Sequence, residues 1–329
     1  MGRRAFFTAL GGVGLLPLTG RAQQPERMGR VGVLLTTPEN EPATQATVTT
    51  IAQALARFGW VEGKNIRIDY RFAAGDPALL KADAEELVGL APDAILASTA
   101  SAVAALRQHT RTTPIVFTAV PGPVELGFVQ SLARPGANIT GFTSFDAPII
   151  GKWLQWLNDV APRVTLVGVI FNPDINVSAP LYIRAIEASA PTFGMTVALD
   201  PVHDDAGIEE VIASLTHEPG GGVICLIDSF TITHRNVIIA AAARAGLPLI
   251  GGTPAFPRAA GLMTYWYDPL DQYAQAASYI DRILKGSSPA DLPVQEPTKF
   301  SLIINLRTAK ALGLTIPPAI LARADEVIE

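Results

Sequence analysis

The sequence predicts an α/β fold of two Rossmann-like lobes, each built on a parallel sheet and joined by a hinge. Short β-branched apolar runs alternate with longer amphipathic stretches, as in parallel sheets that are covered by helices on both faces. This alternation begins near residue 31 and begins again near residue 164. The 307 residues after a predicted leader are also enough for two domains of ordinary size.

The first unit, residues 29–145, alternates strands and helices. Buried or alternating apolar runs predict strands at 31–36, 66–72, 94–97 and 115–118. Apolar residues at helical spacing predict helices at 43–58, 77–90 and 102–109. Gly59 ends the first helix and Pro77 begins the second, as these residue types do at helix ends.

The second unit, residues 146–267, repeats the pattern after a connection near residues 142–153. The same signals predict strands at 164–171, 195–199, 222–227 and 249–250. They predict helices at 179–190, 208–215 and 237–245. The segment 262–267 and a helix at 270–284 are expected to cross back, so that residues from about 268 to 329 complete the first lobe. The proline-rich tail at 288–297 precedes a predicted strand at 300–304 and a short helix, and the lobe to which this tail belongs is left open.

The first 22 residues have the pattern of an export signal, with Arg3 and Arg4 before an uncharged stretch and small residues at Gly20 and Ala22. The paired arginines match a twin-arginine signal, although Gly2 stands where Ser or Thr is usual. An ordinary secretory signal or an uncleaved anchor are the alternatives.

Charge and cysteine content narrow the function classes. Without the leader, 22 basic and 30 acidic residues give a net charge of −8, which disfavours nucleic acid as a partner. The single Cys225 excludes an internal disulfide, a multi-cysteine metal site and a lipid-anchored mature N-terminus. We therefore expect a soluble protein with no metal and no cofactor.

Catalytic signatures are missing from the chain. No G-x-S-x-G elbow and no P-loop occur, and the glycines at 220–222 precede a strand instead of joining a strand to a helix. No histidine has a partner four residues away, as a zinc site on a helix would need. Cys225 lies within a strand, where a thiol is usually a small buried apolar group. The sequence therefore predicts no enzyme activity.

Polar residues follow the predicted strands of both units. The carboxyl edge of an open parallel sheet is where α/β proteins bind ligands, and two facing edges would form a cleft for a small polar solute. The candidate ligand-binding residues are Thr99, Ser101, Pro123, Thr143, Asn172, Asn176, Asp228, Thr253 and Tyr265.

Three of these candidates have alternative roles that the sequence leaves open. Thr99 and Ser101 either contact the ligand or cap the helix that follows them. Asp228 either pairs with an amine of the ligand or caps a helix. Among the aromatic residues 265–267, Tyr265 is predicted to contact the ligand and the other two to fill the core.

Several motifs together resemble the ABC-transporter substrate-binding proteins of the tryptophan/tyrosine-binding type, over almost the whole chain. These motifs are the paired-arginine leader, residues 131–142, residues 151–154 with 161–162, residues 297–300 and residues 305–314. The resemblance implies a type I periplasmic binding fold whose lobes close on an amino acid. By position it places Thr99, Ser101, Asn172 and Asp228 at the ligand.

The resemblance also implies a role. The protein would act as a soluble monomer that captures a small solute in the periplasm and delivers it to an ABC permease in the inner membrane. One alternative is a periplasmic module that senses the solute for a signalling receptor. Another is a racemase or lyase on a two-lobe scaffold, which the single cysteine disfavours.

Overall fold

The computed structural model describes residues 28–144, 147–217 and 219–329, with side chains omitted at 147 and 148. The predicted export signal at 1–22 lies outside the described residues. Within them, no helix is both long enough and apolar enough to cross a membrane.

The first lobe is a five-stranded parallel sheet in the order β2-β1-β3-β4-β5. Its strands are β1 (Gly29–Leu35), β2 (Ile66–Phe72), β3 (Ala94–Ser98), β4 (Ile115–Val120) and β5 (Ile139–Thr143). Its helices are α1 (Pro42–Arg57), α2 (Pro77–Gly89) and α3 (Thr99–His109). Every residue of β3 and β5 is buried, as expected for strands covered on both faces.

The second lobe contains a seven-stranded sheet in the order β12-β11-β10-β9-β8-β6-β7. Its strands are β6 (Leu166–Phe171), β7 (Thr196–Pro201), β8 (Gly221–Cys225), β9 (Leu249–Gly251), β10 (Met263–Tyr267), β11 (Phe300–Asn305) and β12 (Glu326–Ile328). The pairs are parallel except β10 with β11. The helices of residues 147–329 are α4 (Ala147–Val160), α5 (Ala179–Ser189), α6 (Asp205–Ser214), α7 (Ser229–Thr233), α8 (Arg235–Ala245), α9 (Ala255–Arg258), α10 (Pro269–Leu284), α11 (Leu306–Ala311) and α12 (Pro318–Leu321).

Two α/β lobes with largely parallel sheets confirm the predicted fold class. The strand β5 and the helix α4 were not predicted as elements. β5 depends on Gly141, because a Cβ there would collide with the backbone of Phe117 in the neighbouring strand. The pairing of β4 with β5 also shifts register between Phe117 and Val120, which places one extra residue in β4.

The C-terminal segment is divided between the two lobes. Helix α10 does pack on α1 and β4, and Leu292 and Val294 lie in the cores of the first lobe. β11 and β12 instead extend the second sheet, where Leu302 and Ile304 join its core. The chain therefore crosses between the lobes three times, after β5, after β10 and before β11.

Candidate functional site

A cavity lies between the lobes, where the carboxyl ends of the two sheets face each other. It contains about 420 Å³ of space between atoms, part of it open to solvent. Its lining residues are Thr99, Ala100, Ser101, Ala119, Pro121, Ile175, Asn176, Ser178, Tyr182, Ile227, Asp228, Ser229 and Trp266.

The junction between β3 and α3 contributes a strained residue to this cavity. Thr99 has a φ of 76°, a left-handed conformation that is costly for a β-branched side chain. Its hydroxyl oxygen is buried and has no hydrogen-bond partner. Because Thr99 begins the eleven-residue helix α3, the free N–H groups of the first turn lie at the same place. The hydroxyl and these N–H groups can together receive an anionic group.

A second strained residue, Ala119, lies at the end of β4 with a φ of 58°. Its N–H donates to the side-chain oxygen of Gln272 (3.2 Å), while the Gln272 amide donates to the carbonyl oxygen of Thr143 (2.6 Å). A buried glutamine of α10 thus fixes the backbone that borders the cavity. This arrangement places Pro121 on the cavity wall.

Asp228 is the acidic residue of the cavity wall. It caps α7 by accepting a hydrogen bond from the N–H of Thr231 (2.7 Å), and its other oxygen accepts from the N–H of Asn172 (3.0 Å). Asn176 donates to that same oxygen at 3.4 Å. The side chain of Asp228 is buried, and burial raises its pKa above the ordinary value although these hydrogen bonds oppose the shift.

The wall on the side of the second lobe is aromatic. Trp266 and Tyr182 line the cavity, and Trp153 lies behind them, with ring centroids 6.1 Å from Trp266 and 6.5 Å from Tyr182. Burial raises the pKa of Tyr182 far above its usual range, so the phenol stays neutral. This wall can pack against an apolar or aromatic part of a solute.

The charge of the cavity is unbalanced. Its lining residues include the carboxylate Asp228 but no lysine, arginine or histidine. A buried carboxylate without a cationic partner favours a solute that carries a positive charge.

Contacts across the cleft show that the lobes are closed together. The hydroxyl of Ser101 in the first lobe donates a hydrogen bond to the carbonyl oxygen of Ile175 in the second. On one side of this contact, Gly75 approaches the backbone of Ser229, and on the other Gly122 faces Leu181. A solute in the cavity is therefore surrounded by both lobes.

A wider groove adjoins the cavity and shares Ser101, Ile175 and Ser229 with it. It lies between α2 and α3 on one side and residues 174–177 on the other.

Four of the nine predicted site residues lie together in the cavity lining: Thr99, Ser101, Asn176 and Asp228. Asp228 is also a helix cap, so both roles considered for it are open to the same side chain. Asn172 lies behind the wall, where its backbone holds Asp228.

The other four predicted residues lie outside the lining. Pro123 is buried in a turn where its carbonyl oxygen accepts from the N–H of Phe128, and Pro121 takes the place at the cavity. Thr143 lies at the hinge, held by Gln272. The hydroxyl of Thr253 is buried without a partner beyond the end of β9.

Of the three aromatic residues at 265–267, Trp266 lines the cavity and Tyr265 lies outside the lining. Adjacent residues of a strand point to opposite faces, and Tyr265 stacks on Phe300 with centroids 5.5 Å apart. The residues that sequence reasoning missed are Ala100, Ala119, Pro121, Ile175, Ser178, Tyr182, Ile227, Ser229 and Trp266. Most are apolar or small, so only their position next to predicted polar residues could have indicated them.

The described residues hold no group of three or more His, Cys, Asp or Glu side chains that could bind a metal ion. Cys225 is fully buried in β8, and burial raises the pKa of its thiol well above the ordinary value. A thiol in that state is a poor nucleophile.

Comparison with known proteins agrees with this architecture. The family model described as ABC transporter substrate binding protein matches residues 31–328. A tyrosine-binding protein of Clostridioides difficile is 26% identical over 265 residues, which are 80% of this chain and 75% of that protein.

Two solved structures are similar over most of the chain. A conserved domain protein of Vibrio cholerae has a TM-score of 0.84 and 30% identity, covering 92% of this chain and all of that one. A Streptococcus pneumoniae ABC domain in complex with L-Trp has a TM-score of 0.83 and 23% identity, covering 91% and 99% of the two chains. With the family model matched from the first strand to the last, the chain belongs to the ABC transporter substrate-binding proteins.

Proposed function

We propose that this chain is the exported solute-binding component of an ABC uptake transporter, and that its solute is an amino acid with an apolar or aromatic side chain. The observation that carries the proposal is the pairing of groups in one cavity: the buried carboxylate of Asp228, the unpartnered hydroxyl of Thr99 and the aromatic wall at Trp266.

Each group of an amino acid has a counterpart in this cavity. The ammonium group pairs with Asp228, whose charge has no basic partner among the lining residues. The carboxylate accepts hydrogen bonds from the hydroxyl of Thr99 and from the first N–H groups of α3. The side chain packs against Trp266 and Tyr182. The names of two relatives, a tyrosine-binding protein and a complex with L-Trp, support this solute class.

The transport step follows from closure. The open protein takes up the solute, the lobes close over it, and a permease of the inner membrane receives it from the closed form. The export signal expected at residues 1–22 supports capture in the periplasm. The protein performs no reaction on the solute in this scheme.

Calorimetry with analogues of one solute tests the assignment of the polar groups. Residues 23–329 would be titrated with L-tryptophan, with tryptamine, which lacks the carboxylate, and with indole-3-propionate, which lacks the ammonium group. We expect L-tryptophan to bind and each analogue to bind at least ~100-fold more weakly, since each leaves a buried charge or hydroxyl without its partner.

A thermal-shift screen of amino acids and polyols identifies the solute class more broadly. A solute at about 100 times its Kd stabilises the folded protein by ~2.7 kcal/mol, which raises the Tm. In the calorimetric titration, equal binding of L-tryptophan and tryptamine would contradict the proposal that the N-terminus of α3 binds the carboxylate of the solute. A shift with polyols and none with amino acids would overturn the solute class.

A further inference from the structure

An ion pair outside the cavity joins the two lobes. The Nη2 atom of Arg235 lies 3.0 Å from Oε1 of Glu41, and the two side chains are 18% and 21% exposed. Every other ion pair that the structure shows within residues 28–144, 147–217 and 219–329 joins residues of the same lobe.

Neither side chain of this pair stabilises the helix to which it belongs. Glu41 occupies the N-cap position of α1, yet its side chain makes no capping hydrogen bond. Arg235 is the first residue of α8, where the helix dipole disfavours a positive charge. Its Nη1 atom donates to the carbonyl oxygen of Ile232 (2.8 Å), which orients the guanidinium toward the first lobe. The contact across the cleft accounts for the charged side chains at both positions, whereas the stability of the two helices does not.

We propose that Glu41 and Arg235 determine solute affinity from outside the cavity, by stabilising the closed arrangement of the lobes. This inference rests on the proposed function, because it assumes that closure completes the solute site. A contact that exists only in the closed form raises the apparent affinity by the factor by which it favours closure. For a partly exposed ion pair that factor is about two to five.

Charge neutralisation with a matched control tests the pair. Glu41→Gln, Arg235→Gln and the double variant are compared with Glu209→Gln, which removes the same charge from a pair with Arg244 inside the second lobe. Calorimetry with L-tryptophan is expected to give a Kd about two- to fivefold higher for both single variants and no further loss in the double variant. The wild-type Kd should rise with salt more steeply than that of Glu41→Gln, because salt screens the pair.

A measurement without solute separates this inference from the solute assignment. Nitroxide labels at Arg57→Cys and Ser214→Cys, one exposed position in each lobe, report the distance between the lobes, while the buried Cys225 stays unlabelled. We expect Glu41→Gln to reduce the closed population and Glu209→Gln to leave it unchanged. A reduced closed population with no tryptophan binding would support the pair and refute the solute class. Identical distances and affinities in Glu41→Gln and Glu209→Gln would overturn the inference.

Discussion

The strained residue at the cavity offers a test in which stability and binding change in opposite directions. Thr99 has a φ of 76° and a buried hydroxyl without a partner. Left-handed backbone costs ~1–2 kcal/mol for a residue with a Cβ, and an unsatisfied buried hydroxyl costs about 1–3 kcal/mol. Glycine would remove both costs but add ~0.5–1 kcal/mol through the greater freedom of the unfolded chain and lose the packing of the side chain.

The Thr99→Gly variant should therefore be more stable than the wild type without solute, by about 1 kcal/mol, or roughly 2 °C in Tm. Its affinity for L-tryptophan should fall by at least ~10-fold, because the solute loses a hydrogen bond from the hydroxyl. Denaturant unfolding and calorimetry measure the two effects on the same preparation.

Ala260 provides the matched control, since it has the same φ of 76° and lies in the second lobe between α9 and β10, outside the cavity lining. Ala260→Gly should stabilise the protein slightly and leave the Kd unchanged. The reasoning fails if Thr99→Gly is less stable than the wild type and binds L-tryptophan equally well.

Three further results are expected. Trp266→Leu should raise the Kd for L-tryptophan by about tenfold or more in calorimetry, because the solute loses its contact with the indole ring. Tyr265→Leu should change the Kd less than twofold. Equal losses of affinity in the two variants would contradict the assignment of Trp266 to the cavity wall. Burial raises the pKa of Asp228 from its ordinary value of 3.8, so the folded protein retains a proton that the unfolded chain releases. The free energy of unfolding should therefore fall as pH rises from about 4 through that raised pKa. Denaturant unfolding of Asp228→Asn should lack this contribution to the dependence of the unfolding free energy on pH. An unchanged pH profile in the variant would disprove the shift. The thiol of Cys225, fully buried with a raised pKa, should react with a thiol reagent only after unfolding, and rapid reaction in the native protein would show that β8 is accessible.

The architecture was largely predictable because the buried strands are short apolar runs. β6 and β8 are buried almost throughout, and this is the pattern that predicts a parallel sheet. β5 was harder to predict, because Thr140 and Gly141 interrupt its apolar pattern. The lobe to which β11 belongs is a matter of tertiary pairing with β10, which no local pattern encodes.

The polar part of the cavity could be predicted and its apolar part could not. Thr99 directly follows β3 and Asp228 lies three residues after the end of β8, where the geometry of parallel sheets brings side chains to one edge. Trp266 lines the cavity because of the face of β10 on which it lies, and Tyr182 because of the position of α5. Large aromatic residues occur equally in a hydrophobic core, and both side chains are largely buried. The sequence therefore locates the edge of the sheets, and the closed lobes determine which residues meet there.

The central claim is that a single amino acid is held in the cavity between the lobes. A crystal structure of residues 23–329 grown with saturating L-tryptophan tests it most directly. We expect the ammonium group within hydrogen-bond distance of Asp228, the carboxylate at Thr99 and the indole ring against Trp266. Tryptophan bound elsewhere on the protein, or an empty cavity in crystals of a protein that binds tryptophan in solution, would contradict the claim.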